Sequence, residues 1–140
     1  SVQAQVLNLF KELQAKRKLT YLFITHNLGV VRYMADKVAI MYLGKIIEIG
    51  STNEIFQNPK HPYTKSLLES IPDIETRKGF QLIKGDVPSP LNPPTGCHFH
   101  PRCPIFLNES EGSPLCHECK NEYPEPLYTG TSFVRCHAKN

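Results

Sequence analysis

The chain has 140 residues, 40% hydrophobic and 21% charged, a balance that suits a folded globular protein and excludes disorder by composition. Its formal charge of +3 is scattered along the length, and the one compact cluster, Lys16-Arg17-Lys18, sits where a first helix should end. Cations are favoured there by the helix dipole, so no nucleic-acid surface is needed to account for them. The longest apolar runs, Tyr21 to Ile24 and Val38 to Leu43, fall far short of the roughly 20 residues that span a bilayer.

Val2, Val6, Leu9 or Phe10, and Leu13 recur at helical spacing and predict an amphipathic helix ending near Lys18. This periodicity begins directly after Ser1, with no charged and apolar leader or cleavage site, so the start reads as the interior of a longer protein. Tyr21 to Ile24 is a short continuous apolar run, as expected of a strand buried on both faces of a parallel sheet. Asn27 can cap a second helix carrying Leu28, Val31, Met34 and Ala35, before a strand over Lys37 to Leu43. Gly44-Lys45 makes a turn into a partner strand, Ile46 to Ile49. Ser51-Thr52-Asn53-Glu54 has the pattern of a capping box and predicts a short helix over Thr52 to Gln57, stopped by Asn58-Pro59.

All twelve prolines lie at Pro59 or later. Composition therefore marks a boundary between a regular region, 1–58, and a second, 59–140. Pro62 suits the first turn of a helix running to about Ser70, with Leu67 and Leu68 on its buried side. Beyond Pro72 periodicity fades: Phe80 to Ile83 reads as a short strand, and Val87 to Pro94 as a proline-rich extended stretch. The first region is an α/β half-domain with too few strands for a sheet covered on both faces. If it stands alone, both apolar runs should be more exposed than buried parallel strands permit.

His26 follows Leu22-Phe23-Ile24-Thr25 and should emerge at the carboxyl end of a strand, the edge where open α/β sheets gather their ligands. On position alone, such a histidine is more often structural. The wider string is Val2-Gln3-Ala4-Gln5-Val6, then Phe23 through Val31 with Thr25-His26-Asn27, then Ala35-Asp36-Lys37-Val38 and Met41 through Glu48. It resembles the end of an ABC transporter nucleotide-binding domain just after its D-loop. The resemblance implies a partial P-loop NTPase-type fold, with His26 as the switch histidine at the γ-phosphate of ATP. An imidazole there can orient the attacking water and stabilise charge, the two tasks of phosphoryl-transfer catalysis. The sequence contains no G-x-x-x-x-G-K-[ST] loop to cradle phosphates, nor a signature motif or Walker B carboxylate. ATP hydrolysis is expected of a longer subunit and not of this chain alone.

Gln57 through Leu68, with His61-Pro62-Tyr63, and Gly85 through Cys97, with Pro88-Ser89-Pro90, resemble the extension of the oligopeptide, dipeptide and nickel branch of these ATPases. His61 itself is expected to be a structural residue of the turn that begins a helix, not a catalytic one.

Five cysteines, at 97, 103, 116, 119 and 136, crowd the last third, where a metal or cross-link can replace a hydrophobic core. Disulfides, zinc and an iron–sulfur cluster are all open on spacing alone. Cys116-x2-Cys119 is a knuckle-like pair, and His98, His100, His117 and His137 stand beside cysteines with no ligand role assigned. The resemblance implies a [4Fe-4S] site on Cys97, Cys103, Cys119 and Cys136, with Cys116 as the alternative to Cys119, and zinc as the alternative metal.

The resemblance thus implies a nucleotide-binding remnant, 1–58, and a small irregular cysteine-rich extension, 59–140. It implies a motor subunit that uses ATP and Mg to drive peptide import, nickel being the substrate variant. The partners implied are a second ATP-binding subunit, two transmembrane permeases and, indirectly, a solute-binding protein, at the cytoplasmic face of the membrane. A metal-bound interaction module without energy coupling is the rival reading. A zinc-ribbon nucleic-acid binder fits less well, because no one-sided basic stripe with interleaved aromatics is present.

Overall fold

The computed structural model describes residues 2–71, 83 and 85–138. Its contacts divide the chain into Ser1–Asp36 and Lys37–Asn140, whereas composition changes at Pro59. The expected strand residues Phe80 to Leu82 lie outside the described residues.

In the first unit, the proline- and glycine-free run Val2–Arg17 forms helix α1, with Lys16 and Arg17 in its last turn. It closes on Lys18 at φ +53°, where the Leu19 N–H donates to the Gln14 carbonyl at 3.2 Å, a Schellman-like stop. Helix α2 (Leu28–Met34) is capped by Asn27, whose side-chain oxygen accepts from the Val30 N–H. The Tyr33 hydroxyl donates to the Asn8 side chain and the Lys11 ammonium sits over the Tyr33 ring, which joins the two helices.

The expected strand at Tyr21 to Ile24 does not form. Phe10, Tyr21 and Phe23 cluster with ring centroids 5.5–6.1 Å apart, while Leu22 is 90% and Ile24 95% exposed. Side chains alternate, as in an extended segment, but among the described residues no neighbouring strand takes up the backbone N–H and C=O groups. No residue of α1 is buried, so the predicted apolar stripe lies open.

In the second unit, β1 (Lys37–Tyr42) and β2 (Lys45–Ser51) form an antiparallel hairpin. Its turn residues Leu43 and Gly44 both have positive φ, the pairing that matches strand twist in two-residue loops. Val38, Ile40 and Tyr42 are buried in strict alternation, so β1 covers a core with one face only. Two short strands, β3 (Leu127–Thr129) and β4 (Ser132–Val134), complete a sheet of order β1-β2-β4-β3. Ile49 lies opposite Phe133. The sheet is antiparallel, and the fold is a small mixed α/β unit.

Helix α3 (Thr52–Gln57) has its full capping box: Ser51 Oγ accepts from the Glu54 N–H, and the Glu54 carboxylate accepts from the Ser51 N–H. Helix α4 (Pro62–Glu69) has Pro62 in its first turn and His61 as its cap. A 3₁₀ turn at His100–Arg102 leads to α5 (Pro104–Asn108), and α6 (Pro114–Asn121) is capped by Ser113. Phe99 is the hub of this unit, 1% exposed, with the rings of Tyr42, His61 and Tyr63 at 5.3, 5.7 and 5.4 Å. The buried Glu48 carboxylate accepts from the Lys60 and His61 N–H groups at 2.7 and 3.0 Å, tying β2 to the start of α4. Among the described residues no helix is long and apolar enough to cross a membrane.

Candidate functional site

The cysteines reach one place by four separate local devices. Gly96, at φ +61°, brings the chain so close to the end of α6 that a Cβ there would lie 2.5 Å from the Cys119 carbonyl oxygen. Only glycine lets the next residue dock, and the Cys97 N–H then donates to that same carbonyl at 2.9 Å. Thr95 adds a bond from its hydroxyl to the Lys120 carbonyl.

Cys103 caps α5, with its N–H bonded to the His100 carbonyl. Cys119 lies on α6. Cys136 is carried by the end of β4, where the Arg135 N–H donates to the Ile47 carbonyl and the Arg135 guanidinium to the Pro124 carbonyl. These four cysteines line a single cavity. Cys116 is buried one turn earlier on α6 and is not among the cavity's lining residues.

Burial pushes all four thiols up, and for Cys119 and Cys136 burial together with the neighbouring thiols takes the value to about 12. At neutral pH they are protonated and poor nucleophiles. Among the described residues no three His, Cys, Asp or Glu side chains are gathered tightly enough to hold an ion as they stand. The thiols share a wall, not a centre. Protonated thiols do not attract one another, and it takes a cation to draw sulfurs in to metal–sulfur distances of about 2.3 Å. The donor set fits a soft metal, since the cavity offers sulfur and imidazole but no carboxylate.

Three histidines also line the cavity, and two spend an N–H on the main chain. His100 Nδ1 donates to the Cys97 carbonyl, and His137 Nε2 to the Glu122 carbonyl, both at 2.8 Å. His61 is 1% exposed, and burial, with a lesser push from Lys65, lowers it to about 4, so it is neutral. It is the structural residue at a helix start that the sequence predicts, and it also lines the cavity that the four cysteines line. Gly96, Phe99 and the cavity face of His61 escape a reading by motif. The crowding of histidine and glycine next to Cys97 was the available signal.

His26 is exposed at the bend leading into α2, where the Asn27 N–H donates to Thr25 Oγ1.

Residues 47–109 match the sequence model of the oligopeptide/dipeptide transporter C-terminal region. Over 98% of its length the chain is 46% identical to the oligopeptide transport ATP-binding protein AppF of Bacillus subtilis, covering 40% of that protein. The chain belongs to this transporter family. Within it, the putative oligopeptide transport ATP-binding protein YkfD of B. subtilis is 45% identical over 98% of the chain and 40% of its own length. The oligopeptide transport ATP-binding protein OppF of Salmonella typhimurium is 49% identical over 75% of the chain and 33% of its own length. The chain thus spans well under half the length of these family members.

Proposed function

We propose that this chain is the C-terminal part of an ATP-hydrolysing subunit that energises import of di- and oligopeptides through an ABC transporter. The observation that carries the reading is 46% identity, over 98% of the chain, to a protein named for oligopeptide transport and ATP binding. Residues 1–58 close the nucleotide-binding domain and 59–140 form its extension. His26 acts at the γ-phosphate as the switch histidine, where its exposure leaves the imidazole free to meet nucleotide. ATP and Mg are held by other residues, since the sequence lacks a phosphate-cradling loop. The partners are a second ATP-binding subunit, two permeases and a solute-binding protein, at the cytoplasmic face of the membrane.

Cys97, Cys103, Cys119 and Cys136 hold a [4Fe-4S] cluster, with zinc as the alternative. Their convergence on one cavity supports that reading. Bound there, such a group supplies a cross-link among α5, α6 and β4, and in the iron–sulfur case an electron store.

The test is reconstitution of the complete subunit with its permeases and solute-binding protein in vesicles. Magnesium-dependent ATP hydrolysis coupled to peptide uptake is expected, and His26→Ala should reduce both by about 100-fold or more. Hydrolysis indifferent to His26→Ala removes the role given to His26, and hydrolysis indifferent to peptide removes the substrate. The isolated 140-residue chain is expected to show no turnover at all.

A further inference from the structure

Of the three histidines that line the four-cysteine cavity, one is bonded in the way that metal-ligating histidines are. His100 Nδ1 lies 2.8 Å from the Cys97 carbonyl oxygen. A carbonyl only accepts, so the proton of the neutral ring is on Nδ1 and the lone pair is on Nε2. A histidine that ligates a metal almost always gives its other N–H to a main-chain carbonyl or a carboxylate, which fixes the tautomer and the ring orientation. The local turn adds to the hold: the His100 main-chain N–H donates to the same Cys97 carbonyl at 3.0 Å, and the His100 carbonyl accepts from the Cys103 N–H at 3.2 Å. Phe106 packs on the ring with centroids 4.9 Å apart. All three of these hydrogen bonds run through atoms other than Nε2, and they tie His100 to two of the four cysteines.

The other two cavity histidines use their lone pairs elsewhere. His61 Nδ1 accepts from the Tyr63 N–H at 3.0 Å, so the electron pair a metal needs is already engaged. His137 donates through Nε2 to the Glu122 carbonyl at 2.8 Å, which puts its lone pair on Nδ1, 3.7 Å from a Glu118 carboxylate oxygen. An anion there favours a proton on that nitrogen.

We propose that His100 Nε2 is a metal ligand of this cavity, a fifth donor beside Cys97, Cys103, Cys119 and Cys136. The inference rests on the reading that these cysteines bind a soft metal. Tetrahedral zinc and a [4Fe-4S] cluster each offer the protein four positions, so with five donors one thiol is left over and imidazole takes its place. Phe99, Ile105, Phe106 and Leu115 make much of the remaining wall apolar. Each thiolate adds a negative charge that such surroundings penalise, whereas a neutral imidazole adds none.

Cobalt(II) is the probe, added anaerobically to the purified protein. A cobalt-bound imidazole gives a strongly shifted proton NMR signal from its remaining N–H, present in water and lost in deuterium oxide. The wild-type cobalt form should show one such signal, and His100→Asn should remove it. Asparagine keeps a donor at the place of Nδ1, and with it the bond to the Cys97 carbonyl, but has no atom at the place of Nε2. In that variant the sulfur-to-cobalt charge-transfer band should grow by about a third, as a fourth thiolate enters the vacated position. An unchanged band assigns His100 to the turn alone and overturns the proposal, as does a signal that survives His100→Asn or disappears in His137→Asn. Should His100→Asn fail to fold, a signal retained in both His61→Gln and His137→Asn leaves His100 as its source among the cavity histidines, and a signal lost in either overturns the assignment. A wild-type charge-transfer band without the imidazole signal sinks this inference and spares the metal reading. A wild-type protein with no such band, the same in this as Cys97→Ser, overturns both.

Discussion

At the scale of single residues, the second unit relies on carboxylates that satisfy main-chain donors. Glu48 does so in the core and Glu54 on the surface, where it accepts from the Ser51 N–H, the Ser51 hydroxyl and the Ser132 hydroxyl at 2.8–2.9 Å. Chiefly through the Ser51 N–H, these bonds hold the Glu54 carboxyl below its ordinary value of 4.5. A depressed carboxyl favours the fold while the group is ionised, so its contribution is complete above the ordinary value and is lost as pH falls through the lowered one. Thermal unfolding followed across that acid range should therefore show a step that Glu54→Gln removes. Ser51→Ala deletes the helix cap and should lower stability by about 1 kcal/mol, yet leave part of the acid step, because the main-chain N–H remains. An acid limb identical in wild type and Glu54→Gln rules the argument out.

Among elements, those with local causes were legible in the sequence. The Asn27 cap, the Ser51 capping box and Pro62 at the first turn of α4 each act within four residues, and each stands where the spacing predicts. What was not legible depends on distant partners. The strands β3 and β4 have three residues each, too few for any periodicity, and form because β4 finds β2. Tyr21 to Ile24 reads as a strand by composition, yet an extended run becomes one only beside a neighbour. Helix α6 is a similar case, because Cys116 and Cys119 share it three residues apart and spacing alone cannot rank them. The cavity distinguishes their places: Cys119 lines it, beside the chain that Gly96 brings in, and Cys116 does not. On the proposed four-cysteine reading, Cys119→Ser should therefore abolish tight cobalt(II) binding, and Cys116→Ser should leave affinity within about threefold, since loss of one of four ligands would outweigh loss of a buried bystander. Equal losses in a chelator competition would return Cys116 to the ligand set.

For the whole molecule, order should follow burial. The second unit has an aromatic hub at Phe99 and a sheet with one face covered, whereas among the described residues of Ser1–Asp36 only Met34 is buried. Helices of 16 and 7 residues without a packed face are marginal in water, because nucleation is costly and most helix stability comes from tertiary packing. Hydrogen exchange on the isolated chain should find the amides of α1 and α2 close to free-peptide rates. Those of β1 and β2 should be slower by at least about a thousandfold, the protection expected of ordinary global stability. Comparable protection in both units would contradict this. The exposed Leu22 and Ile24 give the experiment a second arm. The chain covers 40% of AppF, and in the proposed complete subunit further strands flank Tyr21 to Ile24. The amides of Tyr21 to Ile24 should then become protected together, through main-chain hydrogen bonds that none of the described residues of the isolated chain supplies.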